Sequence, residues 1–199
     1  MALVIDDEKF TFLEALQKHK FAIDYKPDLQ TINELEPYEI VLCDIRGVGK
    51  FLASKFEGAH LIREAKKFYP SKQIIAFTAS AFDASYKDYF DVADDYVRKD
   101  TSLDVWIALL DERVKKCVDP IHQWHILRES LLKAGMETID VARIEKLYVD
   151  AVKKKDFNAF ENLVRTKVKL SSNVLDVVTK FMASLAVKLM TKAFTGGVA

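Results

Sequence analysis

The stretch Glu39-Ile40-Val41-Leu42-Cys43-Asp44 decides the fold. Its apolar run does not alternate with polar residues, and it stops on a carboxylate. A strand of that kind must be covered on both faces, which places it in a parallel sheet with helices on either side. Working outward, the pattern recurs. Upstream, Ala2-Leu3-Val4-Ile5 stops abruptly at Asp6 and Asp7. Downstream, Gln73-Ile74-Ile75-Ala76-Phe77 ends at Thr78, and Asp94-Asp95-Tyr96-Val97 runs into Lys99. A shorter run, Phe21-Ala22-Ile23, precedes the turn residues Pro27 and Asp28. Between the runs the period becomes helical. Residues 9 to 20 carry Phe10, Leu13, Leu16 and Gln17 at that spacing, and residues 58 to 68 carry Ala59, Leu61, Ile62, Ala65 and Phe68. A brief helix is expected around Leu29 to Leu35, ending before Pro37, and another before Asp94. A last one, Ser102 to Lys116, would turn Leu103, Trp106, Ile107, Leu110 and Val114 inward.

Five strand and helix units in residues 1–117 predict an α/β fold: a flavodoxin-like, doubly wound, five-stranded parallel sheet. In such sheets functional groups collect beyond the carboxyl ends of the strands. Here those ends carry Asp6, Asp7, Asp44, Thr78 and Lys99. Carboxylates gathered at one edge repel each other unless a cation lies between them. Ligation by oxygen alone, open to water, suits Mg2+. Lys99 offers a compact positive charge, and Thr78 a hydroxyl able to hydrogen-bond a phosphoryl oxygen. An acid so placed can act as a nucleophile toward phosphorus, giving an aspartyl phosphate on Asp44.

The residues carrying this argument resemble the receiver domain of two-component response regulators. The resemblance covers about residues 2–117 and rests on Leu3-Val4-Ile5-Asp6-Asp7-Glu8, Val41-Leu42-Cys43-Asp44, Phe77-Thr78-Ala79 and Tyr96-Val97-Arg98-Lys99, in order. It implies that Asp44 is the phosphoacceptor and that Asp6, Asp7, Asp44 and the backbone carbonyl of Arg46 hold Mg2+. It also implies that Thr78 is the switch hydroxyl, Lys99 the phosphate-binding ammonium and Tyr96 the aromatic that changes rotamer. The small residue after the threonine, Ala79, would admit the phosphoryl donor. The chain departs from the family in Asp44-Ile45-Arg46-Gly47-Val48-Gly49, where a Met-Pro pair is usual, and in Asp100, where a proline usually follows the lysine. The loop from Lys50 to Glu57, with Phe51 and Phe56, is longer than usual.

Residues 118–199 read differently. Val118-Asp119-Pro120 predicts a hinge, and beyond it neither strand pattern nor proline follows. Helices are expected over 121–134, stopping at Gly135, over Thr138–Lys154, from Asp156 to about Leu170, and from a cap at Ser172 or Asn173 to Phe194. The second carries Ile139, Ala142, Ile144, Leu147, Tyr148 and Val152. In the last, Asp176, Lys180, Ser184, Lys188 and Lys192 form one narrow polar stripe. A helix so apolar must bury most of its circumference, in a bundle or at a homodimer seam, with adsorption to a membrane surface a third option. Lys153-Lys154-Lys155 reads as a solvated helix end, without a helix-turn-helix pattern for nucleic acid. His122 and His125 have no companion ligands in a metal pattern, and Trp124 is expected to pack between domains.

Composition sets the outer limits. Thirty basic and thirty acidic residues balance over the 199 positions, which excludes a global polyelectrolyte role. Residues 1–117 carry 17 basic and 21 acidic side chains, and residues 118–199 carry 13 and 9, so the halves differ in sign. Cys43 and Cys117 are too few for a disulfide framework, and neither has a partner for nucleophilic catalysis; a reducing, cytoplasmic compartment is expected. The acidic start argues against a secretion signal, and no long uncharged run suggests a membrane span. The expectation is therefore a response regulator whose receiver accepts a phosphoryl group from a sensor histidine kinase or a small acyl phosphate. It would pass the change to an all-helical output or dimerisation domain. No turnover activity is expected beyond the phosphoacceptor chemistry. Two alternatives remain open: a constitutive scaffold with a non-signalling receiver fold, and a phosphatase-like hydrolase using Asp44.

Overall fold

The structure, a computed structural model, describes residues 1–79, 91–168, 171–184 and 187. The chain divides into two compact units, Met1–Lys115 and Lys116–Ala199. In the first, five strands among the described residues form one sheet: β1 (Ala2–Ile5), β2 (Ile23–Lys26), β3 (Ile40–Asp44), β4 (Gln73–Thr78) and β5 (Asp95–Arg98). Their order is β2-β1-β3-β4-β5, and every pairing is parallel. That is the order of a doubly wound, flavodoxin-like sheet. The helices α1 (Leu13–Lys18), α2 (Glu57–Phe68) and α3 (Leu103–Val118) accompany it, with 3-10 turns at Ile32–Leu35 and Lys50–Leu52.

Burial explains why β1, β3 and β4 read as continuous apolar runs. Leu3, Ile5, Val41, Cys43, Ile74 and Ala76 join one core cluster with Leu61, Ile62 and Ala65 of α2. Val4, Leu42, Ile75 and Phe77 alternate with them and are also fully buried. Phe77 and Phe10 meet Trp106 of α3 at ring-centroid distances of 5.8 and 5.3 Å. Each large side chain so buried contributes roughly 1.5–3 kcal/mol. One close approach fixes α2 against β3. A side chain at Gly58 would bring its Cβ within 1.9 Å of the Asp44 carbonyl oxygen, so only glycine fits there.

Several expectations shift. α1 starts at Leu13 rather than residue 9, because Phe10 enters the core from the preceding loop. β2 is Ile23–Lys26 rather than 21–23. It pairs on one side only, so Asp24 and Lys26 are tolerated, and apolar character does not mark its limits. Val114 is 44% exposed; the inward position belongs to Arg113, which pairs with Asp95 at 2.8 Å and reaches Gln73 at 3.4 Å. The short helix expected before Asp94 falls on residues 80–90, outside the described residues.

The second unit contains α4 (Pro120–Lys133), α5 (Thr138–Lys154), α6 (Phe157–Lys167) and α7 (Ser172–Ala183). Their ends follow capping chemistry. Asp119 accepts from the Ile121 N–H with Pro120 in the first turn, Asp156 accepts from Ala159, and Ser171 from Val174. Gly135, at φ +86°, ends the α4 turn. The core gathers Trp124, Leu127, Leu131, Ile144, Tyr148, Phe157, Phe160, Val164, Val178 and Phe181. Trp124 is a core residue of this unit, 5.3 Å from the Tyr148 ring. In α5 the inward face is Val141, Ile144, Tyr148 and Ala151, while Ile139 and Ala142 face solvent. α7 turns Val174, Val178 and Phe181 inward and pairs Asp176 with Lys180 at 2.8 Å outside. The expected continuation to Phe194 lies outside the described residues, save Val187, which is buried. Among the described residues no helix is long and apolar enough to cross a membrane.

Candidate functional site

Three strand ends converge. β1 delivers Asp6 and Asp7, β3 ends on Asp44, and the residue after β5 is Lys99. One oxygen from each of Asp6, Asp7 and Asp44 lies within 4.8 Å of the others, the candidate metal-binding carboxylate group among the described residues. Asp6 and Asp44 are buried, while Asp7 is exposed. The Lys99 ammonium bridges the buried pair, 2.9 Å from Asp6 Oδ1 and 2.6 Å from Asp44 Oδ2, with Glu8 at 3.7 Å. Its charge also lies 5.6 Å from the centre of the Phe77 ring.

The electrostatics follow from this packing. Burial pushes the Asp44 carboxyl above its usual range, against the hydrogen bond from Lys99 and the Arg46 N–H, which favour the anion. Burial opposes charge on Lys99 as well, but the hydrogen bonds to Asp44 and Asp6 outweigh it and hold the ammonium above the usual lysine range. Cys43, next along β3, is buried with its thiol raised well above the ordinary value, chiefly by desolvation, so it is inert.

The remaining expected residues lie around this centre. Thr78 ends β4, one residue beyond Phe77, the register partner of Asp44. It is buried, and its carbonyl accepts from the Lys99 N–H at 2.9 Å. Arg46 is exposed, with its N–H on Asp44 Oδ1 at 3.1 Å. Tyr96, on β5, packs partly buried against the core; burial raises its phenol, opposed by Arg98 and aided by Asp44. The two imidazoles of α4, His122 and His125, belong to no candidate metal group among the described residues.

Other residues hold this arrangement and were not singled out from the sequence. The Tyr25 hydroxyl donates to the Asp6 carbonyl at 2.8 Å and the Glu8 carbonyl at 3.1 Å, bracing the acidic turn. Asp28 accepts from the N–H groups of Gly49 and Lys50 at 2.6 and 3.1 Å. Glu57 accepts from the Gly47 N–H at 2.9 Å. Gly47, at φ +75°, lies under the Asp7 carboxylate, where a Cβ would come within 2.2 Å of Oδ2. The signals were present as two glycines and two acids in and around an unusually long loop, but their pairing depends on how the loop folds back.

No protein-family model and no curated protein matches the chain. Among solved structures it is similar to the BeF3-activated receiver domain of DrrB, at 20% identity over 57% of this chain and 96% of that one, TM-score 0.48. A response regulator from Thermotoga maritima gives 22% identity over 57% and 96%, TM-score 0.47. The receiver domain of NtrX from Brucella abortus gives 18% over 58% and 98%, TM-score 0.48. Of these three solved structures, two are receiver domains and one is a response regulator.

Proposed function

We propose that the chain is a response regulator in which Asp44 accepts a phosphoryl group and residues beyond 117 transmit the change. The observation that carries this reading is the meeting of Asp6, Asp7 and Asp44 with the Lys99 ammonium at the carboxyl edge of the sheet. An exposed acid beside two buried ones, all oxygen donors, fits a divalent cation that keeps part of its water shell. Asp6, Asp7, Asp44 and the Arg46 carbonyl would hold Mg2+, which when bound supplies positive charge to the phosphoryl oxygens.

The chain's own residues account for the rest. Asp44 is buried and held in one direction by Lys99 and the Arg46 N–H, so its free lone pairs are oriented before a donor arrives. A carboxylate oxygen forms the bond to phosphorus as the bond to the donor nitrogen of a phosphohistidine, or to the oxygen of an acyl phosphate, breaks. The leaving group takes the electron pair. Lys99 then moves its hydrogen bond from the carboxylate to a phosphoryl oxygen, and Thr78 donates its hydroxyl to another. Drawing Thr78 toward the phosphoryl group would change the surface carried by β5 and α3, with Tyr96 as the second mover. The effect would be a population shift between two packings.

We read the donor as a sensor histidine kinase or a small acyl phosphate, the compartment as the cytoplasm, and the protein as lacking separate turnover activity. The helical unit is the output or dimerisation module. The test is the solution mass by light scattering with Mg2+, with and without beryllium fluoride as phosphoryl mimic, with Asp44→Ala as control. A mimic-dependent change in mass, absent in the variant, supports phosphorylation-controlled assembly. A mass unaffected by the mimic leaves transmission to a partner, and absence of mimic binding removes the reading.

A further inference from the structure

One peptide plane connects Glu57 to the acidic cluster. The Gly47 N–H that Glu57 Oε2 accepts at 2.9 Å belongs to the same peptide unit as the Arg46 carbonyl. A trans peptide is planar, with its N–H and C=O pointing in opposite directions, so holding one end sets the other. Glu57 reaches Gly47 across ten residues of loop. Its own backbone is at φ +46°, a left-handed conformation that costs free energy for a residue with a Cβ. The next residue, Gly58, is pressed against the Asp44 carbonyl, so the strained backbone is anchored on β3 itself. On Gly47, the Asp7 carboxylate lies where a Cβ would be, so the position of this one residue bears on both Asp7 and the Arg46 carbonyl.

We propose that Glu57 is a positioning residue for divalent-cation binding: by holding the Gly47 N–H it directs the Arg46 carbonyl and seats Asp7. The proposal rests on the reading of Asp6, Asp7, Asp44 and the Arg46 carbonyl as a Mg2+ site. What Glu57 contributes is an acceptor at a fixed place, and its charge is incidental to that role. The long loop between β3 and α2 is therefore closed by a clasp in which a strained acid holds a glycine peptide.

The experiment is calorimetric titration of the full chain with MgCl2, repeated with Mn2+ read by electron paramagnetic resonance, alongside thermal unfolding. The variants are Glu57→Gln, Glu57→Gly and Asp7→Asn. Gln keeps an acceptor oxygen without charge. Gly removes the acceptor but relieves the left-handed strain, so a loss of binding cannot be assigned to poorer folding. Saturable binding by the wild type, abolished in Asp7→Asn, is expected. Glu57→Gln should bind within about threefold of wild type, and Glu57→Gly about tenfold or more weakly, with no fall in melting temperature. Wild-type affinity in Glu57→Gly, with binding lost in Asp7→Asn, would overturn the role of Glu57 and leave the cation site standing. Equal weakening in Gln and Gly would assign the effect to charge and overturn the orientation argument. No saturable binding by the wild type would remove the cation site, and the proposal with it.

Discussion

Replacing Lys99 with methionine isolates the charge at the centre of the site, because most of the aliphatic stem is kept while the ammonium, 5.6 Å from the centre of the Phe77 ring, is lost. Asp6 and Asp44 are 1% and 5% exposed, so neither can turn to water for compensation. At an effective dielectric near 20, contacts of 2.6 and 2.9 Å are worth about 6 kcal/mol each before desolvation. The two carboxylates, within 4.8 Å of each other, repel by no less than about 3 kcal/mol on the same scale. Removing the cation leaves that repulsion and the desolvation uncompensated, and the expected net loss is about 3–5 kcal/mol at neutral pH. The assay is urea unfolding in chelator, in a Trp124→Phe background that leaves Trp106 as the remaining tryptophan and reporter of the sheet unit. The pH dependence has a definite sign. Asp44 already binds its proton more tightly in the folded state than in the unfolded chain, and does so more strongly without Lys99. The variant should therefore regain stability as pH is lowered from neutral toward the ordinary carboxylate range, as Asp44 takes up its proton. In the wild type, the raised Lys99 makes a contribution that is complete below the ordinary lysine range and lost above it. A loss under about 1 kcal/mol, or one unchanged as pH is lowered, would refute the argument that these carboxylates depend on Lys99.

Other consequences are as specific. Glu34 is held at a pKa of about 2, first by its hydrogen bond from Lys26 and then by the N–H groups of Gln30 and Thr31. Glu34→Gln should cost about 1 kcal/mol at neutral pH, and the gap should close as acid is added through the range from about 4.5 down to about 2. Gly58→Ala should destabilise by about 2–3 kcal/mol in urea, because its Cβ meets a backbone oxygen that cannot step aside; wild-type stability would mean that α2 is not pressed on β3. Cys43 and Cys117 should resist a thiol reagent in the native state and react on unfolding, since both are buried. Tyr148→Phe removes the hydroxyl on the Pro120 carbonyl at 2.8 Å and should lower the stability of the helical unit by about 1 kcal/mol.

Much of the sheet was legible because its central strands are covered on both faces. Ile40 to Cys43 and Ile74 to Phe77 have no solvent side, so the unbroken apolar run is itself the mark of the strand. The edge strand β2 lacks that constraint, and its boundaries could not be taken from hydrophobicity. Asp6, Asp7, Asp44 and Lys99 were visible because a doubly wound sheet brings successive strand ends to one edge without regard to sequence distance. What supports them was not visible. Glu57, Asp28 and Tyr25 act through backbone N–H and C=O groups, which carry no residue-type signal at the receiving end. Arg113 illustrates the converse: a charge on an apolar face is buried because β4 and β5 supply Gln73 and Asp95, partners that a helical period alone does not reveal. In the helical unit, Asp119, Asp156 and the serine beside the expected cap mark the starts well, since capping is local.

The central claim is that Asp44 accepts a phosphoryl group, and intact-mass analysis after incubation with a small acyl phosphate tests it most directly. The account expects one added phosphoryl group that requires Mg2+, is absent in Asp44→Asn, and is released by hydroxylamine as an acyl phosphate should be. Addition that persists in Asp44→Asn or in chelator, or no addition with Mg2+ present, would contradict it.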